Sequence, residues 1–394
     1  MPADSLTGFF FLFIAAACGW AVARFFARQP KVQQAAVNPE YFKGLNYLLD
    51  DKPDQAIEVF LSMMAVDNET VETHFALGSL FRRRGEVDRA IRIHQNLIAR
   101  PNLGREHRDQ ALFALAEDYL RAGLLDRAEN LFEKLADQSS RRGHALRKLT
   151  SIFEQQGDWN QAIAARRKLN ADVQSERILA HYYCELADAA LAAGDSNGAK
   201  QQLKKAQSSG PWLARSAMLR ARIALDAGDR KIAQRLYRKV IESDARFLTE
   251  IWPAMRAAFA GSNDEKPFAD FLSSVAKKNP DALPQLAYAA IVHDDTRQPT
   301  VTAGLEKFLQ INATLREALL AMQVIDGDAL TETQLERIAD GLRALLRNRA
   351  AYFCQHCGYA SEQLYWQCPG CKSWDTVRPN TQIPVDRLAL AAGK

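Results

Sequence analysis

Four cysteines near the C-terminal end carry the chemistry that the sequence offers. Cys354 and Cys357 form one Cys-x2-Cys pair, Cys368 and Cys371 form another, and ten residues separate them (CQHC, GYASEQLYWQ, CPGC). Each pair makes a tight turn that aims two sulfurs and several backbone N–H groups at one point. Two such turns, face to face, close a tetrahedral shell of four sulfurs around one metal ion. Zinc and iron both suit that shell, and the spacing does not choose between them. His356 lies between two ligands, but four sulfurs already fill the shell, so it reads as a surface or outer residue. Cys18 and Cys184 sit far apart in apolar settings and read as buried, unreactive thiols. Six cysteines placed so unevenly make no disulfide framework. There is no phosphate-binding loop and no Gly-x-Ser-x-Gly, and the seven histidines are scattered. His181 and Glu185 have helical spacing without further ligands and read as surface. The chain is expected not to be an enzyme.

An amphipathic helix from Thr331 to Arg349 leads into the cysteines. Thr331 is its N-cap, and Leu335, Ile338, Leu342 and Leu345 form its apolar stripe. Upstream the sequence repeats itself every 34 residues. Gly44 and Gly78, Ala56 and Ala90, and Phe60 and His94 keep that step, as do Gly123 and Gly157, Ala128 and Ala162, Gly194 and Gly228, and Ala199 and Ala233. The period and residue types resemble the tetratricopeptide repeat, a pair of antiparallel helices. A small residue such as Gly78 or Ala116 lets the first helix approach its partner, and Phe81 or Tyr119 fills the gap. Glycine at 85, 123, 157, 194 and 228 makes the turn. One hairpin cannot bury its own apolar stripe, so neighbours must stack into an all-α solenoid. Six repeats are legible from about Val37 to Ser243. Segments 247–260, 266–278, 284–293, 301–310 and 314–325 read as further helices, punctuated by Pro253, Pro267, Pro280, Pro284 and Pro299. In a stacked array the first helices line a groove. The register assigns Arg82, Arg83, Arg121, Arg147, Arg215 and Arg222 to it, a basic surface suited to an acidic partner.

Residues Leu6 to Ala23 contain no charge, and extension to Phe26 gives the length needed to cross a bilayer. The cations that follow, Arg24, Arg28 and Lys31, place the C-terminal side in the cytoplasm. A cleaved signal peptide would want positive charge before its apolar core, where only Asp4 stands. A lipoprotein site at Cys18 would want a large aliphatic residue where Ala15 stands. An uncleaved anchor is the expectation, against a periplasmic lipoprotein scaffold. The composition is ordinary for a globular chain, and a net charge of +4 over 394 residues makes no global case for nucleic-acid binding. The domain plan is an anchor at 1–27, a linker at 28–36 and the solenoid at 37–328. A connecting helix at 329–349, a metal-binding domain at 350–378 and a tail at 379–394 complete it.

Cys354-x2-Cys357-Gly358-Tyr359 and Trp366-x-Cys368-Pro369-x-Cys371 resemble the knuckles of rubredoxins and zinc ribbons. Gly358 and Gly370 are expected to let amides approach the sulfurs. The loop between the knuckles is far shorter than in electron-transfer rubredoxins, which weakens the rival reading of an electron carrier. Anchor, repeats and metal ribbon in this order resemble the lipopolysaccharide assembly protein B family of Gram-negative bacteria, over essentially the whole length. The resemblance implies an inner-membrane adaptor that promotes proteolysis of LpxC, the committed-step deacetylase of lipid A synthesis. It further implies the membrane AAA+ protease FtsH as the executing partner and a second inner-membrane protein as antagonist.

Overall fold

Stacked hairpins need a turn that ends one helix abruptly and a contact that lets two helices touch. The computed structural model shows both. It describes residues 71–101, 103–169, 172–260, 266–293, 299–311 and 350–381, with shorter stretches at 19–20, 24, 39–50, 52, 55–56, 59, 295, 331, 333–334 and 336–340. The expected anchor (apart from Gly19, Trp20 and Arg24), the linker, the segment 314–325, most of the connecting helix and the tail beyond 381 lie outside the described residues. Among the described residues no helix is long and apolar enough to cross a membrane.

The chain divides into two compact units, Met1–Arg142 and Gly143–Lys394. In the first, α1 (Pro39–Leu49) precedes two complete hairpins, α2 (Val71–Arg84) with α3 (Val87–Ile98) and α4 (Arg105–Arg121) with α5 (Leu125–Gln138). Gly85 has φ +84°, a left-handed conformation that a Cβ disfavours. It allows the amide of Glu86 to bond the carbonyl of Phe81 at 2.9 Å while Gly85 N–H bonds Arg82 at 3.2 Å. Two carbonyls that the helix end would orphan are thus satisfied. The expected glycines at 123, 157, 194 and 228 repeat this turn. Ala56, Leu77, Phe81, Ala90 and Ile93 close the core at this hairpin.

His94 occupies the register position of Phe60, and its buried ring fills the space over Gly78. Its Nδ1 is hydrogen-bonded to the buried carboxylate of Asp118. Arg82 donates to the other oxygen of Asp118 at 2.8 Å and to Glu117 at 3.0 Å. The ring is therefore pinned, and a methyl at position 78 would overlap it. Gly78→Ala should lower the stability of this unit by about 1–3 kcal/mol. Gly104→Ala, which meets nothing within 4 Å, serves as the control. Urea melts of the two variants check the difference in midpoint.

In the second unit three repeats continue as α6 (Arg142–Gln156) with α7 (Trp159–Arg167), α8 (Val173–Ala192) with α9 (Ser196–Ser208), and α10 (Ala214–Asp226) with α11 (Arg230–Ser243). Two divergent pairs follow: α12 (Leu248–Phe259) with α13 (Lys266–Lys278), and α14 (Leu283–Val292) with α15 (Pro299–Ile311). These agree closely with the four segments read from sequence. Pro253 lies in the interior of α12, whereas Pro267, Pro284 and Pro299 fall in first turns. Proline removes the N–H that would bond the carbonyl of Thr249. His293 Nε2 lies 2.6 Å from that carbonyl and satisfies it from the next repeat. One continuous core runs from Ala217 to Leu309 and takes in Ile338 and Ala339 from the connecting segment. Thr331 and Gln334 cap each other there, Gln334 N–H to Thr331 Oγ1 at 3.3 Å and Thr331 N–H to Gln334 Oε1 at 2.9 Å. The chain ends its described part in a three-stranded antiparallel ribbon, β1 (Tyr352–Cys354), β2 (Ala360–Ser361) and β3 (Val377–Pro379), in the order β2-β1-β3.

Candidate metal centre and the surface that seats it

The ribbon holds two knuckles of one design. In the first, Gly358 N–H bonds the Cys354 carbonyl at 2.9 Å and Cys354 N–H bonds Tyr359 O at 2.7 Å. In the second, Lys372 N–H bonds the Cys368 carbonyl and Cys368 N–H bonds Ser373 O, both at 2.9 Å. The residue after each second cysteine is left-handed: Gly358 at φ +76° and Lys372 at φ +58°. Gly370 is not left-handed. A Cβ there would meet Cys357 Sγ and Tyr359 of the opposite knuckle at 3.5 Å, an ordinary contact distance.

All four sulfurs lie within 4.8 Å of one another, with Cys354–Cys371 at 3.8 Å and Cys357–Cys368 at 3.7 Å. Metal–sulfur bonds of about 2.3 Å in a tetrahedron put sulfurs about 3.8 Å apart. Two of the separations match that shell and the rest fall within 4.8 Å, so the four sulfurs suit one zinc or iron ion. Hydrogen bonds with Ser373, then His356, bring the Cys371 thiol down to about 5. That favours the thiolate at this one ligand, whereas Cys357 is pushed up to about 12, its bond from the Tyr359 amide outweighed by desolvation and the neighbouring sulfurs. Cys184 contrasts with Cys371: burial pushes its thiol up to about 12, as an inert core residue should show.

The ribbon is seated on the first helices of successive repeats. Glu154 of α6 accepts from Trp374 Nε1 at 3.0 Å, from Gln367 Nε2 at 3.1 Å, and from Tyr182 Oη of α8. Arg177 of α8 pairs with Asp375 at 3.2 Å, and Arg378 pairs with Asp244 at 3.2 Å. Tyr352 donates to Glu250 of α12, and Tyr288 of α14 donates to Asn380 O at 2.9 Å. His181 lies at the centre, its ring 5.3 Å from Trp374 and 5.9 Å from Trp366. This corrects its reading as a surface residue: it is fully buried, and neither ring nitrogen has a hydrogen-bond partner. Burial, then the charges of Arg215, Arg177 and Arg378, hold its pKa well below the ordinary 6.5.

The six arginines assigned to the groove divide into two groups. Arg215 is 4% exposed, paired with Glu185 and Asp188 at 2.7 Å each, and lies over the Trp366 ring. Arg222 is exposed and reaches Asp188 at 3.4 Å. In the first unit Arg82 is spent on Asp118 and Glu117, whereas Arg83 and Arg121 are exposed, as is Arg147 in the second unit. Arg82 and Arg215 thus hold the fold together rather than offering free charge. Sequence reasoning missed Glu154, His181, Tyr182 and Trp374. The period held the signal. His181 is 34 residues after Arg147 and 34 before Arg215, and Glu154 is 34 before Asp188, which is 34 before Arg222.

A solenoid of helical hairpins with a four-cysteine ribbon seated on its first helices defines a tetratricopeptide-repeat protein with a rubredoxin-type metal-binding domain. Family models agree: one described as a rubredoxin metal binding domain matches residues 352–379, and a tetratricopeptide repeat matches residues 73–108. Lipopolysaccharide assembly protein B of Escherichia coli (strain K12) is 34% identical over 381 residues, covering 94% of this chain and 97% of that one. The protein of the same name from Haemophilus influenzae is 30% identical over 386 residues, with the same coverage. The chain belongs to the lipopolysaccharide assembly protein B family. Among solved structures, the C-terminal part of a repeat protein from Cytophaga hutchinsonii aligns with 71% of this chain and 98% of its own at 16% identity and a TM-score of 0.39.

Glu154→Ala removes the acceptor of two ribbon donors, Trp374 Nε1 and Gln367 Nε2, of which Gln367 keeps Lys372 O, and should weaken seating by about 1–3 kcal/mol. The expected readout is faster proteolysis within 352–379 at unchanged metal content. The pH dependence follows from His181. Seated, its ring stays neutral; released, it regains solvent while Arg215 and Arg177 stay beside it on the solenoid, so its pKa rises toward the ordinary 6.5. Below its released-state pKa the released form binds a proton that the seated form does not. Seating therefore weakens as pH falls through that value, by up to about 1.4 kcal/mol per pH unit. Hydrogen exchange of the ribbon should be faster at acid pH, and His181→Phe should remove the part of that dependence that His181 contributes.

Proposed function

We propose that this chain is an adaptor in lipopolysaccharide assembly, held at the inner membrane by residues 1–27 with its bulk on the cytoplasmic side. In this reading it promotes proteolysis of the deacetylase LpxC by the membrane protease FtsH, and a second inner-membrane protein antagonises it. The observation that carries the proposal is the relationship, over nearly the full length of both chains, to proteins named for lipopolysaccharide assembly. The architecture is compatible with it. Stacked hairpins form a surface for other proteins, and the metal supplies folding energy to a ribbon too small to have a core of its own. Glu154 and Arg177 orient the ribbon against the first helices α6 and α8, so a partner meets a surface built from both. Tethering to a bilayer raises the effective concentration near membrane-bound partners, so modest affinities suffice.

The test is the half-life of LpxC after translation is blocked, in cells whose only copy of this protein is wild type, anchor-deleted or Cys368→Ser/Cys371→Ser. The wild type should shorten the half-life, and both variants should lengthen it several-fold. A half-life indifferent to removal of the whole chain would overturn the proposal.

A further inference from the structure

Charge in the second unit is concentrated where neither the ribbon nor its seat uses it. From Ser196 to Lys239 there are eleven lysines and arginines against two aspartates and no glutamate, in a chain whose total charge is only +4. Arg215 is consumed in the seat, and Arg222 leans on Asp188. Lys200, Lys204, Lys231 and Arg235 are exposed and Arg220 half-exposed, and none has a carboxylate partner among the described residues.

Three of them, Lys200, Lys204 and Arg220, border an apolar groove of about 520 Å³ between α9, α10 and α11. Leu203 and Ile223, 1% and 5% exposed, lie on its floor, Ile232 stands 40% exposed on its wall, and Asp229 is its one acid. Lys200 and Lys204, one helical turn apart on α9, rim one side, and Arg220 of α10 marks another. Past Arg220 the groove continues into a depression of about 150 Å³ beside Trp212, which is 43% exposed. Apolar patches of this kind, rimmed by charge, mark interaction sites. The groove uses the second helices α9 and α11 and a side of α10 away from Arg215, so it is separate from the seat.

We propose that this groove docks a short acidic amphipathic helix of a partner protein. Apolar side chains of that helix enter between α9 and α11, and its carboxylates pair with Lys200, Lys204 and Arg220. The recessed floor favours such a segment over an anionic bilayer. A flat surface meets the lysine rims but cannot reach Leu203 or Ile223, whereas side chains spaced three and four residues apart can. Rim charges of this kind act mainly on partner choice and association rate.

The experiment places a photo-crosslinking benzoylphenylalanine in place of Ile232 in the full chain, in native membranes. A control carries it in place of Val173, which is 70% exposed at the start of α8 and outside the groove. The expected adduct at 232 is a peptide with acidic and apolar residues at helical spacing. Lys200→Glu/Lys204→Glu should reduce it about fivefold or more, Lys200→Gln/Lys204→Gln should reduce it less, and position 173 should not give it. Both lysines are exposed and unpaired, so the thermal midpoint should stay within about 2 °C of wild type. An adduct to phospholipid, an adduct insensitive to the charge changes, or no adduct above the control overturns the proposal.

Discussion

The ring of Trp374 joins the metal ribbon to the solenoid of the second unit. It packs on His181, Tyr182 and Trp159, and its Nε1 donates to Glu154. The ring is in place only if the second knuckle is folded, because Trp374 follows Cys371 by three residues and bridges back to Gln367. The knuckle in turn has almost no core beyond Cys354, Cys368 and Val377. Magnitudes decide the hierarchy. A structural metal in a small domain contributes roughly 10–16 kcal/mol. Burying an aromatic side chain of 150–250 Å² contributes about 4–6 kcal/mol. Burial of this one ring therefore cannot replace the metal in keeping the ribbon folded.

Buried charge shapes the rest of the surface. Asp118 gathers Arg82 and His94 in the first unit, and Arg215 gathers Glu185 and Asp188 in the second. Such pairs add little net stability, because desolvation offsets attraction, yet removing one partner strands a buried charge at about 3–5 kcal/mol. They neutralise two of the six first-helix arginines that sequence reasoning assigned to a basic groove, Arg82 and Arg215, and leave Arg83, Arg121 and Arg147 exposed. Unpaired positive charge in the second unit then falls mainly on the second helices α9 and α11, where no carboxylate answers it.

Legibility in the sequence followed the range of the interaction. The turn glycines, the alanine contacts and the helices from 248 to 311 depend on neighbours within one hairpin, and periodicity exposes them. The four sulfurs were legible because ligand spacing is itself local. His181 was misread because its burial depends on Trp366 and Trp374, almost two hundred residues away in sequence. Pro253 looked like a breaker because the compensating His293 belongs to another repeat. Lys372 gave no sign of its left-handed backbone, since only the symmetry with Gly358 in the folded knuckles reveals it.

The unsatisfied nitrogens of His181 fix what kind of contact the seat is. An imidazole buried without partners forgoes about 1–3 kcal/mol relative to a satisfied one. Its two tryptophan neighbours return part of that through ring packing, at about 0.5–1.5 kcal/mol per aromatic pair. His181 itself therefore adds little net energy to the seat, whose apolar gain comes from burial of the Trp374 ring. The directional hold comes from the polar contacts around it: Glu154 on one side, Arg177 with Asp375, and Arg378 with Asp244 on the other. Those contacts fix orientation, and the unsatisfied imidazole subtracts from the affinity that ring burial supplies.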